Sequence, residues 1–188
     1  MEVNIEELEL DIIRKQNELM LKYAPMEGIP DWPFNIDDKE HQIWIKDFFW
    51  RITEEYTEYL DAIIREDMSH AREELSDCLH FYTEVAILLG CTNIIKLENE
   101  LYGTISLARR EIVLKSIHYL GKAGNCLKNK KWKQSLISTD VDSFLHHFRE
   151  SFKLLIRLFN THGKQANDIH YEYFRKHKIN KKRQDSNY

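Results

Sequence analysis

Residues 52–80, ITEEYTEYLDAIIREDMSHAREELSDCLH, contain two acidic clusters on two successive stretches of helical periodicity. Apolar and aromatic side chains recur every three or four residues on both sides of a break near Asp67, which is the spacing of one helix face. We therefore predict one helix over residues 39–64 and a second over residues 70–89. Ser69 is a suitable N-cap for the second helix.

The same periodicity predicts further helices over residues 5–23, 93–102, 105–127, 141–160 and 166–177. All three prolines lie between residues 25 and 33, and the chain has only six glycines. A β sandwich or barrel needs many more turn residues than this. We predict a single all-α domain, a helical bundle over residues 1–188 that ends in a basic tail at about residues 178–188.

Composition excludes several classes of protein. The 188 residues carry a net charge of −4 and contain no apolar run long enough to span a membrane. The N-terminal segment is acidic and amphipathic, unlike a signal peptide. The three cysteines have no close spacing, which argues against a disulfide framework or a zinc site. We expect a cytoplasmic protein that binds neither a membrane nor, stably, a nucleic acid.

The acidic clusters are the most informative feature of the sequence. Glu55 and Glu58 lie on one shoulder of the first predicted helix, beside its apolar stripe, and Glu74 and Asp77 lie on the equivalent shoulder of the second. If the two helices pack antiparallel, these four carboxylates face each other across a groove. They could not all stay ionised without a counter-charge, which a hard cation such as Mg²⁺ supplies. The alternative is that both clusters are solvated helix faces.

Other kinds of catalytic site have no support. The chain has no phosphate-binding loop of the Gly-x-x-x-x-Gly-Lys type and no Gly-x-Ser-x-Gly elbow. The nine histidines lack the spacing of a zinc site. His80 follows the second acidic cluster, and we expect it to be a half-buried histidine with its hydrogen bonds satisfied.

The C-terminal residues differ in charge from the rest of the chain. Residues 171–188 carry a net charge of +4, which leaves −8 on the remainder. Such a tail is compatible with solvated disorder or with a weak nucleic-acid contact. It is equally compatible with a segment that folds back over an acidic metal site and binds phosphates there.

Three motifs together resemble those of a known family. Glu55-x-x-Glu58, followed after fifteen residues by Glu74-x-x-Asp77, resembles the E-x-x-E and E-x-x-D signature of the all-α nucleoside triphosphate pyrophosphohydrolases. These include the dimeric dUTPases, the phage dCTP pyrophosphatases and MazG-type enzymes. Residues 77–81, DCLHF, resemble the D-x-x-H-F run of the dUTPase branch.

The end of the chain extends this resemblance. Residues 176–188, KHKINKKRQDSNY, resemble the closing motif K-N-x-x-N-x-x-R-Q-D-N-G-Y of the phage dCTP pyrophosphatases. His177 stands where that motif has asparagine, and Ser186-Asn187 stands where it has Asn-Gly. A tryptophan-rich segment that follows the first acidic motif in many dUTPases is absent from residues 63–68.

The resemblance implies a bundle of the dimeric dUTPase or MazG-like type, a homodimer, and Mg²⁺ as cofactor with Mn²⁺ as a substitute. It implies metal ligation by Glu55, Glu58, Glu74 and Asp77, with Glu55 also acting as the general base. It further implies phosphate contacts from Lys176, Asn180, Arg183 and Tyr188. Contacts to the nucleoside are expected from Gln16, Asn17 and Trp44.

The implied reaction cleaves a deoxynucleoside triphosphate between its α and β phosphates. The extra helices over residues 91–150 favour dUTP as substrate, whereas Trp44 and the ending of the tail favour dCTP. A broader MazG-like specificity is a third alternative. A non-catalytic helical binding module is the alternative of a different class, but such a module has no need for two acidic motifs and a Lys-Asn-Arg-Gln tail in one chain.

Overall fold

The structure, a computed structural model, describes residues 4–98 and 107–186, and within these ranges it contains six α-helices and no strand. The helices are α1 (Ile5–Glu27), α2 (Lys39–Ile64), α3 (Met68–Leu88), α4 (Arg109–Cys126), α5 (Val141–Thr161) and α6 (Ala166–Asp185). A 3₁₀ turn at Thr92–Ile94 follows α3. This confirms the all-α prediction. No helix of the described segments is long and apolar enough to cross a bilayer.

Several predicted helix ends are wrong. The first helix does not stop before Pro25 but continues to Glu27, because Gly28 adopts the left-handed conformation, with φ of 76°, that closes a helix. α3 begins at Met68 and not after Ser69, since the Asp67 carboxylate accepts a hydrogen bond from the His70 amide.

Two differences concern the second half of the chain. The segment predicted as a short helix over residues 93–102 shows only the 3₁₀ turn in its described part, and α4 begins at Arg109. The basic tail is not a separate segment, because α6 continues to Asp185. Asp185 forms an ion pair of 2.9 Å with Lys22 of α1, which ties the last turn of α6 to the body of the protein.

α2 and α3 form an antiparallel pair joined by the short segment at residues 65–67. The rings of Phe48 and Phe81 lie 6.3 Å apart, and one turn further along α2 the Cys78 thiol contacts the Ile52 carbonyl oxygen at 3.9 Å. Contacts that advance along one helix and retreat along the other are those of antiparallel packing. The next turn therefore brings Glu55 of α2 beside Glu74 of α3.

α4 and α5 cover the other side of this pair. Phe144, Phe148 and Phe152 of α5 are spaced by four residues and are buried. Phe148 packs against Phe49 of α2 at 5.7 Å and against Tyr82 of α3 at 5.5 Å. Ser116 of α4 and Ser151 of α5 hydrogen-bond each other at 2.8 Å. The Tyr82 hydroxyl bonds both serines, which satisfies polar groups that would otherwise be costly to bury.

α1 and α6 run parallel to each other on the remaining side of α3. Asp11 pairs with His170, Gln16 with Tyr173 and Lys22 with Asp185, so contacts advance in the same direction along both helices. This arrangement puts one face of α6 against Glu73 and Asp77 in the first half of α3. It puts Gln16 of α1 against His80, near the middle of α3.

The buried phenylalanines of α5 provide a test of the core. Replacing Phe148 with Ala should lower the free energy of unfolding by about 3–5 kcal/mol, because the cavity would lie among the helices that bury Phe148 completely. Leu114 of α4 is 69% exposed, and Leu114→Ala should change the same quantity by less than about 0.5 kcal/mol. Urea unfolding of both variants measures the difference, and equal effects would contradict the assignment of α5 to the core.

Candidate active site

The antiparallel packing of α2 and α3 brings three carboxylates together. Glu55 and Glu58 of α2 and Glu74 of α3 each offer an oxygen atom, and these atoms all lie within 4.8 Å of one another. Glu74 is 4% exposed, whereas Glu58 is on the surface. Converging carboxylate oxygens are the ligands that hard divalent cations prefer. The donor set therefore fits such an ion.

His70 holds one of these carboxylates in place. Its Nδ1 atom lies 3.0 Å from a carboxylate oxygen of Glu74, four residues further along α3. A buried carboxylate with a second polar partner is restricted in its orientation, which is how side chains beside a metal site commonly act on its ligands.

Asp77, the fourth predicted metal ligand, is paired differently. Its carboxylate accepts a bond from the buried Lys176 ammonium group at 2.6 Å, and the same ammonium group donates to Glu73 at 2.8 Å. Lys176 belongs to α6, so this contact carries a positive charge from the C-terminal helix into the acidic cluster.

The pKa values of the cluster reflect this crowding. Burial, reinforced by the negative charges of Asp77 and Glu74, raises the pKa of Glu55 to about 9. Burial also raises the pKa of Asp77 to about 6, against the opposing influence of Lys176. Burial alone would lower the pKa of Lys176, but the carboxylates of Asp77 and Glu73 raise it. In the absence of a cation the cluster is therefore short of positive charge.

A pocket of about 210 Å³ opens beside the cluster. It brings together six residues singled out from the sequence, namely Gln16, Glu55, Asp77, Lys176, Asn180 and Arg183. The last three are spaced by four and three residues and so share one face of α6. An acidic wall from α2 and α3 thus faces a wall of cationic and amide groups from α6.

Among the other predicted site residues, Glu58 and Glu74 belong to the carboxylate cluster and do not line this pocket, and neither do Asn17 and Trp44. Asn17 accepts a hydrogen bond from the Trp32 indole at 3.2 Å. Trp44 is partly buried against the core, eleven residues or about 16 Å along α2 from Glu55. Tyr188 lies outside the described residues.

The pocket also contains residues that the sequence analysis missed or misjudged. His80 was expected to be half-buried and satisfied, but it is 3% exposed, and only its Nδ1 atom has a hydrogen-bond partner, Gln16. Glu84 lines the pocket one turn further along α3 and was not singled out. Its signal is present in the sequence, because it is the one charged side chain in the run FYTEVAILL.

The raised pKa of Glu55, caused first by burial and then by the neighbouring carboxylates, predicts how stability depends on pH. Because the folded protein raises the pKa of Glu55 from 4.5 to about 9, it holds this proton more tightly than the unfolded chain does, and its stability should fall as pH rises through that window. Glu55→Gln should remove this contribution and stabilise the metal-free protein at pH 8 by about 1 kcal/mol, or roughly 2–4 °C in Tm.

Thermal unfolding in chelator from pH 5 to pH 8.5 provides the measurement. Glu54→Gln is the matched control, since Glu54 is exposed on the same helix and contacts Trp50 outside the cluster. A Glu55→Gln variant with the same pH slope as the wild-type protein would contradict this account of the cluster.

Comparison with known proteins agrees with this geometry. A family model described as dUTPase matches residues 36–188, which is most of the chain. No curated protein and no solved structure gives a significant match. The matched range contains the acidic cluster and α6, whereas α1 with Gln16 precedes it. The family consists of dUTP and dNTP diphosphatases that generally depend on a divalent metal. The chain therefore belongs to the dUTPase family and is an enzyme of this nucleotide pyrophosphatase type.

Proposed function

We propose that this enzyme hydrolyses deoxypyrimidine nucleoside triphosphates, with dUTP as the preferred substrate, and releases dUMP and pyrophosphate. The observation that carries the proposal is the pocket, in which Glu55 and Asp77 face Lys176, Asn180 and Arg183. A polyphosphate needs a cation site on one side and hydrogen-bond donors on the other, and this pocket has both kinds of wall. dCTP is the second candidate substrate, followed by a broader range of dNTPs.

Glu55, Glu58 and Glu74 are the residues that would hold Mg²⁺, with Mn²⁺ as a substitute. Asp77 is a fourth candidate ligand, and its present partner is Lys176. The bound ion would supply Lewis-acid polarisation of a phosphate oxygen and of the attacking water. The three converging oxygens support this assignment, because their mutual repulsion is relieved when a cation is present.

Glu55 is the proposed general base. It lines the pocket and is only partly buried, so that a water molecule can reach its carboxylate. As water attacks phosphorus, Glu55 would take the proton that the water loses, and the linkage between the α and β phosphates would break. The pKa of about 9 belongs to the metal-free cluster, in which Glu55 holds a proton near neutral pH. A bound cation would lower this pKa, so that the ionised carboxylate could accept the proton of the water.

The α6 face would bind the phosphates. Arg183 can bind two phosphate oxygens at once through its planar guanidinium group, and Asn180 can donate through its amide. Lys176 bonds two carboxylates in the free protein. Phosphate oxygens are negatively charged acceptors, as carboxylate oxygens are. The Lys176 ammonium group could therefore release a carboxylate and bind the leaving pyrophosphate.

A homodimer in the cytoplasm completes the proposal. Ile43 and Trp50 are exposed at 40% and 62% and lie seven residues apart on one face of α2, which is a suitable apolar surface for a second copy. Cys78, Cys91 and Cys126 are free thiols, as is usual in a reducing compartment. Light scattering measures the mass of the assembly.

The first test is a panel of dUTP, dCTP, dTTP, dATP and dGTP with Mg²⁺, with the products separated by chromatography. We expect dUMP and pyrophosphate from dUTP, loss of the reaction in chelator, and recovery on addition of Mg²⁺. Faster release of dCMP would reassign the preferred base. An absence of product from every triphosphate, with Mg²⁺ or Mn²⁺, would favour the non-catalytic binding module.

The second test concerns the general base. Glu55→Gln should lower kcat by about 10²–10⁴-fold, because its amide cannot accept the proton of the attacking water. Glu54→Gln, one residue away and outside the pocket, should retain wild-type kcat. Wild-type turnover by Glu55→Gln would refute the role assigned to Glu55.

A further inference from the structure

A network of buried polar side chains lies at the α1 side of the pocket. Gln16 is completely buried, and its amide oxygen accepts hydrogen bonds from the Tyr173 hydroxyl at 2.8 Å and from His80 Nδ1 at 3.0 Å. The amide nitrogen of Gln16 donates to one oxygen of Glu84 at 2.5 Å. Gln16 therefore fixes the orientation of both His80 and Glu84.

Two atoms of this network have no hydrogen-bond partner within the described part of the chain. They are the second carboxylate oxygen of Glu84 and Nε2 of His80, and both residues line the pocket. The Tyr23 hydroxyl lies near Glu84 and acts on its pKa as a hydrogen-bond donor, although the pair lacks ordinary hydrogen-bond geometry. A protonated Glu84 carboxyl group can accept from Tyr23 and still donate its own proton to a ligand. Leaving a buried polar group unpaired is costly, so two such groups in one pocket point to a ligand that pairs with them.

We propose that Glu84, together with His80, hydrogen-bonds the Watson–Crick edge of the pyrimidine base, and that Glu84 is a specificity-determining residue of this enzyme. This inference rests on the proposed function and goes beyond it, because it assigns the selection of the base to a carboxyl group two helical turns from Asp77. Seven residues of α3 separate Asp77 from Glu84, or about 10 Å, which keeps the base apart from the reacting phosphates.

The hydrogen bonds to Gln16 determine what this pair can offer. The Gln16 oxygen can only accept, so His80 carries its proton on Nδ1, and its Nε2 atom is an acceptor. Burial lowers the pKa of His80 to about 3, which keeps the ring neutral. Burial raises the pKa of Glu84 to about 8, so its carboxyl group holds a proton near neutral pH and can donate it from the oxygen that Gln16 leaves free.

Uracil matches an acceptor beside a donor. Its N3–H can donate to Nε2 of His80, and its neighbouring O4 can accept from the Glu84 carboxyl group. Cytosine presents the reverse pattern at these two positions, an acceptor at N3 and an amino donor at C4, and would leave both protein groups unsatisfied. Leu19 and Phe81 supply apolar surface in the same pocket, as the faces of a base require.

The test compares kcat/KM for dUTP and dCTP in three variants. Glu84→Leu removes the donor and should lower kcat/KM for dUTP by about 10- to 100-fold, through KM and not kcat, so that the preference for dUTP over dCTP falls. Glu84→Gln retains a donor and should keep the preference within a few-fold of wild type. Thr83→Val is the matched control, since Thr83 is the buried neighbour of Glu84 on α3 and its hydroxyl bonds the Leu79 carbonyl oxygen outside the pocket.

The outcomes separate a failure of the role assigned to Glu84 from a failure of the proposed function. A folded Glu84→Leu protein with the wild-type ratio of the two substrates would overturn the assignment of Glu84 alone. If Glu84→Leu does not fold, Glu84→Asp withdraws the carboxyl group by one methylene, and the same loss of preference is expected of it. A wild-type protein that hydrolyses no triphosphate would overturn the proposed function, and with it the role of Glu84.

Discussion

Electrostatic repulsion between carboxylates of α2 and α3 is the constraint on which the rest of this structure depends. The antiparallel packing of the two helices, secured behind the cluster by contacts such as that of Cys78 with Ile52, holds the carboxyl groups of Glu55 and Glu74 together, although two ionised carboxylates at this distance would repel each other. The apolar core is strong enough to impose this cost and so keeps the carboxylate oxygens converged. The arrangement is a case of stability given up locally for the sake of function.

α6 supplies positive charge to the acidic cluster through Lys176. Lys176 bonds Asp77 and Glu73, and Lys22 anchors the far end of α6 through Asp185, so the helix is attached to the acidic cluster at one point and to α1 at another. The face that carries Asn180 and Arg183 is held over the pocket between these two attachments. The basic side and the acidic side of the pocket thus form as parts of one folding unit.

Much of this arrangement follows from local patterns in the sequence. Helical periodicity places Glu55 and Glu74 on matching shoulders, and a short link makes their antiparallel packing the simplest solution. The bond between Lys176 and Asp77 spans 99 residues, and no local pattern specifies it. The roles of Asn17 and Trp44 came from resemblance alone, and the structure puts both outside the pocket. Glu84 was missed because its burial depends on where α1 packs, which periodicity does not give.

Gln16 lies before the range that the dUTPase family model matches, yet one amide of this residue orients both His80 and Glu84. The two ends of the pocket therefore depend on different parts of the chain. α2, α3 and α6 supply the acidic side chains that line the pocket and the proposed phosphate-binding ones, whereas Gln16 of α1 sets the hydrogen-bonding pattern at the inner end. Under the proposed function, substitutions in α1 would therefore change which base is accepted and leave the proposed hydrolytic groups intact.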